Sequence, residues 1–280
     1  MSRCPRVLIV AGSDSGGGAG VQADIKTVTM LGGHAMTAIT AITAQNTLGV
    51  TGVWPLPVEA VVAQIDAVVA DLGVDAVKIG MIGSADVAEA VADRLAGLAD
   101  APIIFDPVMI ATSGSVLADP ATVAAFDRLM ARAALVTPNL PELAALAGLA
   151  PDRIDDAEAM AAAARALAGR TGAAVLVKGG HAAGPVIHDR LVTAAGVAAT
   201  WRDARIETRH SHGTGCTLAS GIATGLGAGL PLADAIGRAR AYVRAALSAA
   251  PGYGAGHGPM GHALGGAPFD AVPFAPRPAA

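Results

Sequence analysis

The sequence predicts an α/β fold: a mostly parallel central sheet, helices on both of its faces and a small strand pair at one edge. Two observations carry that expectation. Short runs rich in Val, Ile and Ala alternate with segments whose apolar residues recur every three or four positions, the rhythm of strand, helix, strand units. The first strand also runs straight into a glycine loop and then a helix, in "RVLIVAGSDSGGGAGVQADIKTVTML". With 280 residues and 53% hydrophobic side chains the chain can bury one large core. Residues 1–262 therefore read as a single domain and 263–280 as a Gly/Pro/Ala-rich tail.

The elements follow in order. "RVLIVAG" is the first strand, and Val21, Ile25 and Val28 mark the helix after the glycine loop. "MTAITAITA" is the next strand. Val58, Val61, Val62, Ile65, Val68, Val69 and Leu72 then lie on one face of an amphipathic helix. "AVKIGMIG", "PIIFDPV", "ALVTPN" and "AVLVKGG" are further strands. "AMAAAARALAG" is helical, because Ala has the best intrinsic helix propensity. The weaker alternation of "GPVIHDRLVTAAGVAATWRDARIE", broken by turn residues at "AAG", gives the strand pair at the sheet edge. Leu218, Ile222 and Leu226 share one helix face, and Leu232, Ile236, Val243 and Leu247 mark the last helix. Beyond Pro251 the chain turns to Gly, Pro and Ala, and its end is expected to lack regular structure.

Composition excludes several function classes. Net charge is −4, no run of Lys or Arg stands out, and aromatics are 3%, so neither a phosphate-backbone footprint nor a stacking platform for nucleic acid is expected. The N-terminal apolar run is too short for a signal peptide, and no window offers about 18 uninterrupted apolar residues, so a soluble protein with no membrane partner is expected. Two cysteines do not make a disulfide framework, and a reducing cytoplasm is the simpler location; a Cys4–Cys216 bridge stays open.

Two glycine loops are candidates for ligand binding. The first, "AGSDSGGGAG", lacks the G-x-G-x-x-G spacing, and no G-x-x-x-x-G-K-[ST] occurs anywhere, so alone it is equally a structural turn. Asp24 is placed in the first turn of the helix that follows, where a carboxylate complements the helix dipole. The second, "HGTGCTLASG", puts Gly213, Thr214, Gly215 and Cys216 at a helix N-terminus, where unpaired N–H groups attract an anion. The same field favours a thiolate, so Cys216 is either a base beside an anion or a small packing residue. The histidines offer no helix-spaced pair, so a catalytic zinc is not expected.

Taken together the loops are far more specific. "AGSDSGGGAGVQADIKT", "TAITAQNT", "VKIGMIGS", "FDPVM", "TPNLPE", "VKGGH", "HGTGCT" and "GHGPMGH" occur in the order seen in the hydroxymethylpyrimidine/phosphomethylpyrimidine kinases of thiamine biosynthesis. The chain closely resembles that family, part of the ribokinase-like superfamily, over residues 6–262. The resemblance implies a ribokinase-like fold and ATP-dependent phosphorylation of 4-amino-5-hydroxymethyl-2-methylpyrimidine to the monophosphate and then to the diphosphate. It implies that Gly213, Thr214, Gly215 and Cys216 form the anion hole for the transferred phosphoryl group, with Cys216 in the base position. Asp106, Asn139 and Glu142 would organise Mg²⁺ and its waters around the triphosphate of ATP, with Asp106 and Glu142 the metal residues. Lys178 would contact the ATP phosphates as a point charge. Asp24 and Gln45 would read the pyrimidine, whose donor beside an acceptor suits a carboxamide, with Gly12, Met81 and Val108 as walls. "GHGPMGH" would be a packing feature near the nucleotide side. The resemblance also carries a homodimer expectation, for which the sequence itself gives no signal.

Two departures stand in "FDPVMIATSGSVL": Thr112 where many relatives have lysine, and Ser115 where many have aspartate. The alternatives are a pyridoxal/pyridoxine kinase with the same loops, since both substrates are flat rings bearing a hydroxymethyl group, and a non-catalytic pyrimidine sensor. ATP turnover separates the sensor from either kinase.

Overall fold

The computed structural model describes residues 4–266 except 99, 111–113, 115–116, 151–153, 155 and 182–183. The strands are β1 (Arg6–Asp14), β2 (His34–Asn46), β3 (Gly49–Pro55), β4 (Ala76–Ile79), β5 (Ile103–Phe105), β6 (Leu135–Val136), β7 (Ala174–Val177), β8 (Val186–Thr193) and β9 (Gly196–Ala204). The helices are α1 (Gly20–Met30), α2 (Val58–Asp71), α3 (Ala85–Leu95), α4 (Pro120–Met130), α5 (Leu140–Ala147), α6 (Ala157–Thr171), α7 (Thr214–Gly227) and α8 (Leu232–Ser248). The strands make one sheet in the order β3-β2-β1-β4-β5-β6-β7-β8-β9. The six central strands pair in parallel, and β2–β3, β7–β8 and β8–β9 pair antiparallel.

Parallel strands covered on both faces read as continuous apolar runs. Along β1, Val7, Ile9 and Ala11 point to one face, where α1, α7 and α8 pack, while Leu8 and Val10 point to the other, against the α2–α6 layer. All five are at most 1% exposed. Phe105 of β5 meets Phe126 of α4 edge to face, with centroids 5.0 Å apart, and anchors that second layer. On the first layer α7 lies close to α8: a Cβ at Gly221 or Gly225 would stand under 3 Å from Ala239 or Ala235. Small residues on both helices thus set α7 close against its neighbour, and with it the loop that precedes it.

The expected order of strands and helices holds, with corrections at the edges. The strand pair of residues 186–204 extends the sheet as its antiparallel edge. A second edge pair, β2–β3, was not expected. Most of β3 is half-buried or exposed, so "GVTGVWP" has no buried face to reveal it by alternation. Asp24 sits in the second turn of α1, not the first, because the helix begins at Gly20, leaving its first turn without an acidic residue. Thr112, Ser115 and residues 267–280 of the expected tail lie outside the described residues. Cys4 and Cys216 are both free thiols. Among the described residues no helix is long and apolar enough to cross a membrane.

Sequence order reverses between β1 and β4, so a crevice opens beyond the carboxyl ends of the strands at that switch point. The glycine loop after β1, Met81 after β4, Asp106 after β5, Asn139 after β6 and Lys178 after β7 all emerge at that rim.

Candidate active site

A cavity of about 760 Å³ occupies the crevice, in the range of small-molecule sites. It is lined by Gly12, Gln45, Met81, Val108, Asp106, Asn139, Glu142, Lys178, Gly213, Thr214, Gly215 and Cys216. Every expected site residue except Asp24 therefore faces one space.

The loop that opens α7 is shaped by contacts that only glycine permits. Gly213 precedes α7 with φ 87°, and a Cβ there would lie 1.9 Å from the Gly18 carbonyl oxygen. The two glycine loops therefore touch. Thr214–Cys216 follow as the first turn of α7, whose N–H groups have no partner within the helix. Gly215 lies over a charged pair: its absent Cβ would stand 3.2 Å from both Asp106 Oδ2 and Lys178 Nζ.

Lys178 Nζ donates to Asp106 Oδ1 at 2.8 Å and stands 4.0 Å from Glu142 Oε2. Burial disfavours the charge on Asp106, but Lys178, Lys78 and the Thr137 hydroxyl outweigh it and hold the carboxyl below its usual range. Glu142 goes the other way: burial, reinforced by Asp106, pushes it up to about 7 against the pull of Lys178. Asn139 and Glu142 also form the capping box of α5. Asn139 Oδ1 accepts from the Glu142 N–H at 2.9 Å, and Glu142 Oε2 accepts from the Asn139 N–H at 2.8 Å. The cap holds one oxygen of Glu142 and leaves the other uncommitted by it.

Cys216 stands in the first turn of α7, on the cavity wall beside Gly20 of α1. The expected lowering of its pKa does not occur. Burial pushes the thiol up to about 11, because the pull of Lys78 is offset by the carboxylates of Asp24 and Asp106. At neutral pH roughly one thiol in ten thousand is ionised. If the thiolate accepts a proton during turnover, the rate should climb about tenfold per pH unit from near neutrality to about pH 9, without a plateau near 7. A pH–rate profile of single-turnover transfer to the hydroxyl checks this, and a plateau near 7 would rule out Cys216 as the titrating group.

Asp24 does not reach the cavity. It is fully buried, its Oδ2 accepts from Lys78 Nζ at 2.7 Å and its Oδ1 from the Ser220 hydroxyl at 2.6 Å. Burial raises its pKa against both partners, while on Lys78 the burial penalty is outweighed by Asp24, Cys216 and Asp106, so the ammonium persists. A charged Lys78 beside Asp24 explains why position 24 is acidic without assigning it a ligand.

Three further residues that line the cavity were not singled out in the sequence. Lys78 is hidden in an apolar strand, where only its cost as a buried charge hints at a partner. Asp14 closes the first glycine loop, accepting from the N–H groups of Gly16, Gly18 and Ala19 at 2.8, 3.1 and 2.8 Å. His212 Nε2 lies 3.0 Å from Asp14 Oδ2 and 3.0 Å from Gln45 Nε2. The "GHGPMGH" segment packs on the first glycine loop, Thr47 and the start of α7, where His262 Nε2 meets the Thr217 hydroxyl at 3.0 Å. Burial lowers His262 to about 4, so that imidazole is neutral. At the cavity's other end Arg240 joins Asp189 and Asp203, each at 2.7 Å.

Residues 14–261 match the family model described as phosphomethylpyrimidine kinase. The chain is 48% identical over 259 residues to a hydroxymethylpyrimidine/phosphomethylpyrimidine kinase of Streptomyces coelicolor, covering 92% of this chain and 94% of that one. Among solved structures, the phosphomethylpyrimidine kinase of Clostridium difficile superposes with a TM-score of 0.74 at 34% identity, covering 86% of this chain and 98% of the other. The pyridoxal kinase of Staphylococcus aureus in complex with AMP-PCP and pyridoxal gives a TM-score of 0.83 at 28% identity, covering 94% of each chain.

Proposed function

The chain belongs to the phosphomethylpyrimidine kinase family, and on that premise we propose how its cavity works. The activity is that of a hydroxymethylpyrimidine/phosphomethylpyrimidine kinase of thiamine biosynthesis on a ribokinase-like fold: ATP phosphorylates 4-amino-5-hydroxymethyl-2-methylpyrimidine and then its monophosphate. The observation that carries the site assignment is the convergence of the α7 N-terminus with Lys178, Asp106, Glu142 and Cys216 in the same cavity as Gln45.

Phosphoryl transfer needs positioning and charge stabilisation more than covalent help from the protein. Gly213, Gly215 and Cys216 offer backbone N–H groups to the oxygens of the moving phosphoryl group, with the Thr214 N–H, which donates to the Ser211 carbonyl at 3.3 Å, available to share, and with Lys178 beside them as a fixed positive charge. A lysine on a strand end does here what a P-loop lysine does elsewhere, which is why no Walker motif is needed. Gln45 holds the pyrimidine edge, and Gly12, Met81 and Val108 wall the ring. The Met81 sulfur lies 3.0 Å from where a Gly12 Cβ would be, so the wall is closed on that side.

Mg²⁺ fits this donor set. Asp106 and Glu142 supply two carboxylates on either side of Lys178, and among the described residues no cluster of three or more His, Cys, Asp or Glu forms an all-protein cage. That is the pattern of an ion shared between one or two carboxylates and substrate phosphates. When bound, it neutralises triphosphate charge; Asp106 and Glu142 would hold it, partly through water.

Cys216 takes the hydroxyl proton in the first transfer. In a loose transition state that proton leaves late, once partial bonding to phosphorus has made it acidic, and it passes to the Cys216 thiolate, leaving a neutral thiol, so a small ionised fraction is sufficient. The monophosphate oxygen accepting the second phosphoryl group is already ionised and needs no base. Two acceptors can therefore share one site with one set of donors.

The substrate assignment is tested by kcat/KM for the hydroxymethylpyrimidine and for pyridoxal under identical Mg-ATP conditions. The pyrimidine is expected to be preferred by at least about a hundredfold. A preference for pyridoxal would move the chain to the vitamin B6 reading, and no turnover of either would leave only a pyrimidine-binding role.

A further inference from the structure

The orientation of the Gln45 carboxamide follows from counting protons around His212, and it bears on which rings the site accepts. Burial works against the charge on Asp14, but the His212 contact and the N–H groups of Ala19 and Gly16 outweigh it and hold its carboxyl below the usual range. Asp14 therefore only accepts, and His212 Nε2, 3.0 Å from Asp14 Oδ2, must carry the proton. Gln45 Nε2 stands 3.0 Å from that same His212 nitrogen. Two N–H donors would then face each other.

The other end of the amide meets the same arithmetic. The Thr43 hydroxyl has one proton and donates it to the Ser13 carbonyl at 2.9 Å, so Thr43 Oγ1 can only accept from Gln45. Yet the atom 3.2 Å away is Gln45 Oε1, another acceptor. Turning the amide by half a revolution exchanges two atoms of nearly equal size and satisfies both ends at once. His212 Nε2–H then bridges Asp14 Oδ2 and Gln45 Oε1, and Gln45 Nε2 donates to Thr43 Oγ1.

The surroundings fix this arrangement. A Cβ at Gly18 would stand 2.6 Å from His212 Cδ2, so the imidazole fills the space that glycine leaves. The His212 N–H donates to the Gly258 carbonyl, and Pro259 pairs with its backbone as an isolated bridge. The Gln45 backbone is tied to the same loop: its N–H donates to Ser15 Oγ at 2.9 Å, and Ser15 Oγ donates back to its carbonyl at 2.8 Å. Asp14, Thr43, Gln45 and His212 all line the cavity.

We propose that His212 is a specificity-positioning residue: with Thr43 it locks the Gln45 carboxamide so that Oε1 lies on the His212 side and Nε2 on the Thr43 side. Each amide atom keeps one further valence for the cavity, an acceptor lone pair on Oε1 and an N–H on Nε2. The ring edge that fits has an exocyclic amino donor beside an unprotonated ring nitrogen, as in a 4-aminopyrimidine. A 4-oxo ring presents a carbonyl acceptor beside a ring N–H, the reverse order, and meets the locked amide donor to donor and acceptor to acceptor. The proposal rests on Gln45 reading the ring, as set out above.

The test compares kcat/KM for the 4-amino substrate and its 4-oxo analogue, a ratio in which general damage to phosphoryl transfer cancels. In the unaltered protein the amino ring should win by at least about a hundredfold, the range for a paired hydrogen-bond readout. His212→Leu frees the amide, and the ratio should fall at least about tenfold with the KM for ATP nearly unchanged; His212→Gln, which keeps an N–H at similar reach, should restore most of it. Thr43→Val releases the other end and should also lower the ratio, giving an independent variant if His212→Leu does not fold. In a Gln45→Ala background, His212→Leu should change the ratio no further. An unchanged ratio in both His212→Leu and Thr43→Val overturns the lock while leaving Gln45 as reader. Losses from His212→Leu and Gln45→Ala that simply add overturn it too. An unchanged ratio in Gln45→Ala, or no preference in the unaltered protein, removes the reading of Gln45 and the lock with it.

Discussion

Cys216→Ala is expected to slow transfer to the pyrimidine hydroxyl by about 10²–10⁴-fold, the usual contribution of a positioned general base. Nucleotide affinity should change little, because the backbone N–H groups of Gly213–Cys216 remain in place on α7. Transfer to the monophosphate should suffer much less, since an ionised phosphate oxygen brings no proton to remove. The ratio of the two losses separates a base from a group that only shapes the loop. Single-turnover rates for both acceptors supply it. Equal losses in both steps would assign Cys216 to packing, and near-unaltered first transfer would remove it from the chemistry.

Asp24→Ala should cost about 3–5 kcal/mol of stability, because it strands the Lys78 ammonium, 0% exposed, without its partner. Replacing the pair together, with Asp24→Leu and Lys78→Met, should recover much of that loss, since buried pairs exchanged for apolar groups are often neutral. Denaturant unfolding of the single and double variants measures both. The outcome also decides between two roles for Asp24. If it contacted the pyrimidine, Asp24→Asn would raise the KM for the ring with stability unchanged; the buried pair predicts lost stability first.

What could be read from the sequence divides along physical lines. Elements with two buried faces or a clear apolar stripe, such as β1, α2 and α8, announced themselves, because burial is written in the spacing of Val, Ile and Leu. β3 did not: its side chains are largely uncovered, and pairing with β2 leaves no pattern in its own residues. That Cys216, Lys178, Asp106 and Glu142 would line one cavity was legible because each follows a strand or opens a helix within a distinctive short motif. Their charge states were not. The sequence places Cys216 at a helix N-terminus, where a low pKa is expected, but burial together with Asp24 and Asp106, neither adjacent in sequence, reverses the sign. The ion pair of Asp24 was hidden for the same reason, since its partner Lys78 lies 54 positions away in β4. The contacts of His212 were not legible because they are made with Asp14 of the other glycine loop and Gln45 of β2, both far away in sequence.

The most direct test of the account is a time course with the purified chain, Mg-ATP and the hydroxymethylpyrimidine, with mono- and diphosphate resolved by ion exchange, run beside Gly213→Ala. One site serving two acceptors predicts monophosphate that rises and then falls as diphosphate accumulates. It also predicts that both products are lost together in the variant, whose new Cβ would collide with the Gly18 carbonyl and displace the α7 N-terminus. Monophosphate that never converts, or a variant that loses one transfer and keeps the other, would contradict a single shared phosphoryl site.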